Sequence, residues 1–163
     1  MIPLKKRLTD LEDLLELKYE KLSYFQEQLE ITASAPSKFE LMQRIKKEVL
    51  PSLHECELEY WGILRQFSSK CDIVDQDAQS AMTTIVQDLQ TVKSQVMPQE
   101  VLQLLESILQ KLDEPGTAAA AKAKFVVNVI PGILAYEFEL DTENSLRRVF
   151  QPLRQLFGVA AKK

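Results

Sequence analysis

The sequence predicts a mostly α-helical protein: a long antiparallel helical hairpin, additional helices, a small β-hairpin and a C-terminal amphipathic helix. Two observations carry this prediction. The first 70 residues hold two long amphipathic helix patterns, separated by a short break at 33–37. The 163-residue chain contains only 4 Gly, which argues against a loop-rich or many-stranded fold. This length suits one domain, or one domain with an extension.

The first helix pattern has apolar residues alternately three and four positions apart. This spacing is the a/d seam of a coiled coil, and Lys18 stands at the one position that breaks it. Extra apolar side chains widen the stripe on one side, which suits a helix with more than one neighbour. The seam consists of Leu4, Leu8, Leu11, Leu15, Leu22, Phe25 and Leu29, and the widening positions are Leu14, Leu17, Tyr19 and Tyr24.

A second helix is predicted over 38–68, so that residues 1–70 form the antiparallel coiled-coil hairpin. The short connection requires the second helix to return alongside the first. Ser34 is suited to cap it, because a serine hydroxyl accepts from backbone N–H groups that the first turn leaves free. Pro51 lies where the apolar spacing slips, and a proline inside a helix removes one hydrogen bond. We therefore expect a kink over 48–51.

The rest of the chain is predicted as two segments. Residues 71–113 show two further helix patterns that would pack as a bundle, the first ended by Pro98. Residues 117–163 are predicted to form a β-hairpin followed by an amphipathic helix. The hairpin would occupy 125–140, where a β-branched run precedes a Pro-Gly turn and an alternating apolar–charged run follows it. One helix broken at Pro131 is the alternative, because the Ala-rich flank also suits a helix.

The C-terminal helix pattern, over 142–157, has one apolar face with three arginines beside it. We expect this face to dock on the chain's own core or to take part in self-association. Contact with an anionic membrane surface is the alternative, since a basic amphipathic helix can lie in the membrane interface.

The sequence contains no recognisable catalytic motif. The only histidine, His54, and the two cysteines, Cys56 and Cys71, lack the spacing of a metal site or a C-x-x-C pair. The glycines are too scattered for a phosphate-binding loop. We therefore predict no catalytic, cofactor-binding or metal-binding residues and no cofactor. An enzyme stays a hypothesis only if folding creates a deep polar pocket with perturbed carboxylates.

Charge and hydropathy bound the partners. The formal net charge is −4, and this acidity disfavours nucleic acid as a partner. The charge is uneven, with net −6 over 71–116 and net +3 over 117–163. These regions are either self-complementary or simply solvated. Apolar runs are too short for a membrane span, and acidic residues come too early for a signal peptide. We therefore expect a cytoplasmic protein with reduced cysteines.

Several segments suggest a family. The stretches 14–22, 29–32, 36–41 and 44–46 resemble an accessory coiled-coil hairpin of cyanobacterial-type bacterial signalling and conflict proteins, where it accompanies NTPase, caspase-like or TIR effector modules. The stretch 129–143 is similar to a segment of such proteins. The resemblance implies a non-catalytic coupling or oligomerisation role. This sequence has no effector or NTPase motif, so no functional residues are carried over.

These observations predict a non-enzymatic protein–protein interaction or oligomerisation module. The resemblance implies the further role of an accessory subunit of a bacterial signalling or defence system. Apolar stripes would be buried against a partner protein or a second copy, and charged flanks would set the register. Peripheral membrane association through the C-terminal helix is the alternative function. The candidate interaction residues are Leu8, Leu11, Leu15, Leu22, Phe25, Leu29, Leu146, Val149, Phe150 and Leu153.

Overall fold

The computed structural model describes residues 3–161, and all of its regular structure within that range is helical. The predicted mostly α class is therefore confirmed. A π-helical turn, Ile45–Val49, joins α2 to α3 without a break. The helices are α1 (Leu4–Ile31), α2 (Ala35–Arg44), α3 (Leu50–Ser68), α4 (Asp75–Val92), α5 (Gln99–Asp113), α6 (Ala119–Leu134) and α7 (Leu140–Ala161).

The chain forms two compact units, one up to Tyr60 and one from Trp61 onward. In the first unit, α1 runs antiparallel to the continuous α2–α3 rod. The start of α1 contacts the later part of α3, and the end of α1 contacts α2. Near its start, α1 places Arg7 Nη2 2.7 Å from Glu59 Oε1. Near its end, the ring of Phe25 lies 4.8 Å from the guanidinium carbon of Arg44.

The sequence predicts a kink over 48–51, and the helix there contains a π-helical turn over Ile45–Val49, just before Pro51. At its end the Leu50 N–H donates to the carbonyl of Ile45, five residues earlier, where a regular α-helix would reach four. The extra residue in this turn accounts for the slip in apolar spacing. Pro51, which has no N–H to donate, follows directly. Ser34 caps α2 as expected, accepting from the Ser37 N–H at 3.5 Å.

In the second unit, α4 packs against α5, α6 and α7, and α5 also packs against α6. The segments 71–113 and 117–161 are therefore interleaved in one core. The first backbone N–H groups of α6 have no capping side chain from the preceding residue, because the N-cap residue is Ala118. A carboxylate oxygen of Asp75, on α4, instead accepts from the Ala120 N–H at 3.1 Å. Such a contact satisfies one of the N–H groups that a helix start leaves without a partner.

The β-hairpin predicted over 125–140 is wrong. Residues up to Leu134 belong to α6, and 137–139 are irregular. The β-branched residues fit a helix because the buried ones recur at helical spacing: Val126, Val127, Ile130 and Ile133. Pro131 lies in the last turn of α6, and its carbonyl accepts from the Ala135 N–H at 3.2 Å, so the helix passes through the Pro-Gly pair before it ends.

Candidate functional site: two apolar rows on one helix

From Leu8 onward, the predicted seam of α1 is the contact row of the first unit's own core, whereas Leu4 is 44% exposed. Leu8, Leu11 and Leu15 are essentially inaccessible, and Leu22 and Phe25 are buried. Leu29 is half-buried. This row is therefore used within the fold. A partner could reach it only if α1 parted from the α2–α3 rod.

Polar side chains fix the register of α1 against α3. The Lys18 ammonium donates to the Ser52 hydroxyl, which explains why a lysine interrupts the apolar seam. The buried carboxylate of Glu57 accepts from the Tyr19 hydroxyl, at 3.2 Å. The pairs that connect the two helices in this way are Arg7–Glu59, Lys18–Ser52, Tyr19–Glu57 and Tyr60–Glu12.

The Arg7–Glu59 pair predicts a pH-dependent stability. The two-pronged hydrogen bond from Arg7 lowers the pKa of the Glu59 carboxyl below its ordinary value. A lowered folded-state pKa adds stability above the ordinary pKa and loses it as the pH falls through the folded-state value. We therefore expect Glu59→Gln to destabilise the protein at pH 6 and progressively less below about pH 4.5. Urea unfolding of both proteins across that range measures this difference.

The matched control for this prediction is Glu55→Gln, an exposed position one turn earlier on α3. It should leave the pH dependence of the wild type unchanged. The effect of Glu59→Gln should be modest and should shrink with added salt, because both partners are more than one-third exposed. A stability difference that stays constant from pH 6 to pH 3 would contradict the assignment.

A second apolar row lies on the solvent side of α1. Its members are Leu14, Leu17, Tyr24 and Ile31, at steps of three, seven and seven residues, which keep them on one side of the helix. Leu17 is 62% exposed, Tyr24 58% and Ile31 70%. At the helical rise per residue the row is about 26 Å long. We call these four residues the outer stripe; its centre lies about 120° around the helix from the buried seam.

The apolar face of α7 is also used within the fold. Leu146, Val149, Phe150 and Leu153 are all buried in the second unit, where α7 packs against α4. The membrane hypothesis requires this face to be free, so α7 would have to leave α4 before it could act as proposed. Within residues 3–161 no helix is long and apolar enough to cross a bilayer.

Metal-binding groups and clefts were compared over the part of the chain that the structure describes. Among residues 3–161, no group of three or more His, Cys, Asp and Glu side chains is placed to hold a metal ion. Two clefts within the second unit measure about 220 and 260 Å³, below the roughly 300–1,000 Å³ usual for ligand pockets. The first is lined partly by Asp72 and Asp77 and otherwise mainly by apolar side chains of α7 and the loop before α4.

Both cysteines are buried, and burial raises the pKa of each thiol. The thiolate is the nucleophile in alkylation, so a raised pKa and low exposure both slow the reaction. We expect iodoacetamide at pH 8 to modify Cys56 and Cys71 at least about tenfold more slowly in the folded protein than in guanidinium. Mass spectrometry of timed samples measures both rates. Equal rates in the two conditions would show that the thiols are accessible.

The outer stripe was only partly visible in the sequence. The pattern identified Leu14, Leu17 and Tyr24 as extra apolar positions, but it missed Ile31 and gave no means of telling which row would be buried. The exposed Phe39, near the start of α2, was also missed. The seven-residue step from Tyr24 to Ile31 was the signal in the sequence that could have identified Ile31 as a member of the row.

Comparison of the chain with models of known families, with curated proteins and with solved structures found no match.

Proposed function

We propose that this protein is a non-enzymatic protein-interaction module whose docking surface is the outer stripe of α1. The observation that carries the proposal is that α1 has two apolar rows, and its own fold buries only one of them. Leu14 and Leu17 lie one turn apart, and Tyr24 and Ile31 continue the row at two-turn spacing, so the exposed apolar residues form a row along one side of the helix and are not scattered singly. Because the buried row holds α1 against the α2–α3 rod and the outer stripe is exposed, a partner can dock on the stripe while the hairpin stays folded.

The size of the outer stripe fits helix recognition. An amphipathic helix typically docks through side chains one and two turns apart, and Leu17, Tyr24 and Ile31 follow that spacing. Fully burying one large apolar side chain is worth about 1.5–3 kcal/mol, whereas association costs about 4–15 kcal/mol of translational and rotational freedom. Docking therefore requires several residues of the stripe to be buried together. A coupling or oligomerisation role, of the kind the resemblance to accessory hairpins implies, would use such a surface.

Site-specific photo-crosslinking in cells tests this proposal. Benzoylphenylalanine placed at Leu17 or at Tyr24 should each crosslink the same partner protein or a second copy. The matched control is Ser23, which is exposed on another side of the same helix. Tyr24→Glu should abolish the crosslink formed from position 17 while the helical circular dichroism stays unchanged. Crosslinking from positions 17 and 24 no stronger than from position 23 would overturn the proposal.

A further inference from the structure

The outer stripe has a row of carboxylates beside it. Asp13, Glu20 and Glu27 are exposed and recur every seven residues. Each lies four positions before a member of the stripe, and residues four apart on a helix are neighbours on its surface. Asp13 thus precedes Leu17, Glu20 precedes Tyr24, and Glu27 precedes Ile31. We call these three carboxylates the acidic row.

The outer stripe has few cations to balance the acidic row. Lys18 is directed to the α2–α3 rod, where it donates to Ser52. Lys6 is exposed seven residues before Asp13, ahead of the stripe, and Lys21 lies within the stripe itself, between Leu17 and Tyr24. No seven-residue row of basic side chains accompanies the stripe on α1. The edge that a docked helix would meet is therefore predominantly negative.

This charge pattern disfavours a second copy on the same surface. In an antiparallel pair of identical helices, the acidic row of one copy would face that of the other, which is destabilising. In a parallel pair, the acidic row would face the positions of Lys18, Phe25 and Thr32. Phe25 and Thr32 are uncharged, and Lys18 is directed to Ser52, so these positions do not balance the acidic row. An anionic membrane or a nucleic acid would likewise be repelled.

We propose that the outer stripe binds a basic amphipathic helix of a partner protein. The apolar face of that helix would cover the stripe, and a row of Lys or Arg at seven-residue spacing would meet the acidic row. This inference rests on the proposed docking function and adds the chemistry of the partner. Complementary flanking charges select both partner and orientation in helix pairs.

Two synthetic three-heptad peptides test the inference on the full chain. Both carry Leu at the a and d positions; one has Lys and the other Glu at the flanking e and g positions. In fluorescence anisotropy at about 50 mM salt, we expect the Lys peptide to bind at least about tenfold more tightly, and the ratio to fall at about 500 mM salt as flanking charges are screened. Leu17→Glu should abolish binding of both peptides.

A charge-reversed variant supplies the matched control. Asp13→Lys/Glu20→Lys/Glu27→Lys leaves the stripe intact and should invert the preference to the Glu peptide. Equal binding of both peptides by the wild type, or binding of neither, would overturn the inference. So would a homodimer in sedimentation that Leu17→Glu dissolves. These results test only the chemistry of the partner. The docking function itself is tested by the crosslinks from position 17, which none of these results would remove.

Discussion

Replacing Leu15 by alanine should lower the free energy of unfolding by about 2–5 kcal/mol, the range measured for fully buried leucines. Leu15 is inaccessible to solvent in the first unit. Its removal forfeits the transfer free energy of the lost methyl groups and leaves a cavity that the close-packed α1 and the α2–α3 rod can only partly close. Urea unfolding followed by circular dichroism measures the change, with wild type and variant compared under one buffer.

The matched control is Leu17→Ala, two residues later on the same helix. Because Leu17 belongs to the outer stripe and is mostly exposed, this variant should change the unfolding free energy by no more than about 0.5 kcal/mol. The pair therefore separates the row that holds the fold together from the row available to a partner. A large loss of stability in Leu17→Ala, or none in Leu15→Ala, would mean that the two rows have been assigned the wrong way round.

Asn128→Pro should cost about 3 kcal/mol or more. Asn128 is exposed near the middle of α6, and its side-chain amide donates to the Lys124 carbonyl at 2.7 Å. In a helix the backbone N–H of residue 128 also bonds that carbonyl. Proline removes this N–H and its ring collides with the same carbonyl group. Urea unfolding measures the loss, and the helical circular dichroism of the folded variant should also fall.

Asn128→Ala is the control that isolates the backbone effect. Alanine is the best helix former, which offsets the lost side-chain hydrogen bond, so stability should stay within about 0.5 kcal/mol of the wild type. A further comparison distinguishes helix from strand at this position. Alanine should be more stable than valine at 128, whereas a strand would prefer valine. A valine variant more stable than the alanine variant would contradict the helical assignment of 125–134.

The error over 125–140 has an identifiable cause. Short β-branched runs fit either a strand or a buried helix, and periodicity alone does not separate the two. The Pro-Gly pair favoured a turn, yet a proline near the end of a helix interrupts only one late hydrogen bond, and Gly132 adopts a negative φ. Burial of one side of α6 against α4 and α5 outweighs the local strand preference of its valines.

Periodicity alone was sufficient for the long elements. The three–four spacing in 4–29 and the serine at position 34 located α1 and the start of α2, because these signals depend on neighbours within a few turns of the same helix. The sequence also showed that Lys18 interrupts the apolar seam, but it did not explain why a lysine stands there. Only the folded hairpin brings Lys18 to Ser52, 34 positions later in the chain.

The same limit applies to the candidate site. The sequence by itself determined that α1 carries more apolar surface than one neighbour can cover, since residue spacing sets which side chains share a face. The tertiary structure decided which apolar row the α2–α3 rod covers and which row, with Asp13, Glu20 and Glu27 beside it, faces solvent. Burial depends on contacts between residues distant in sequence, and spacing along a single helix contains no information about them.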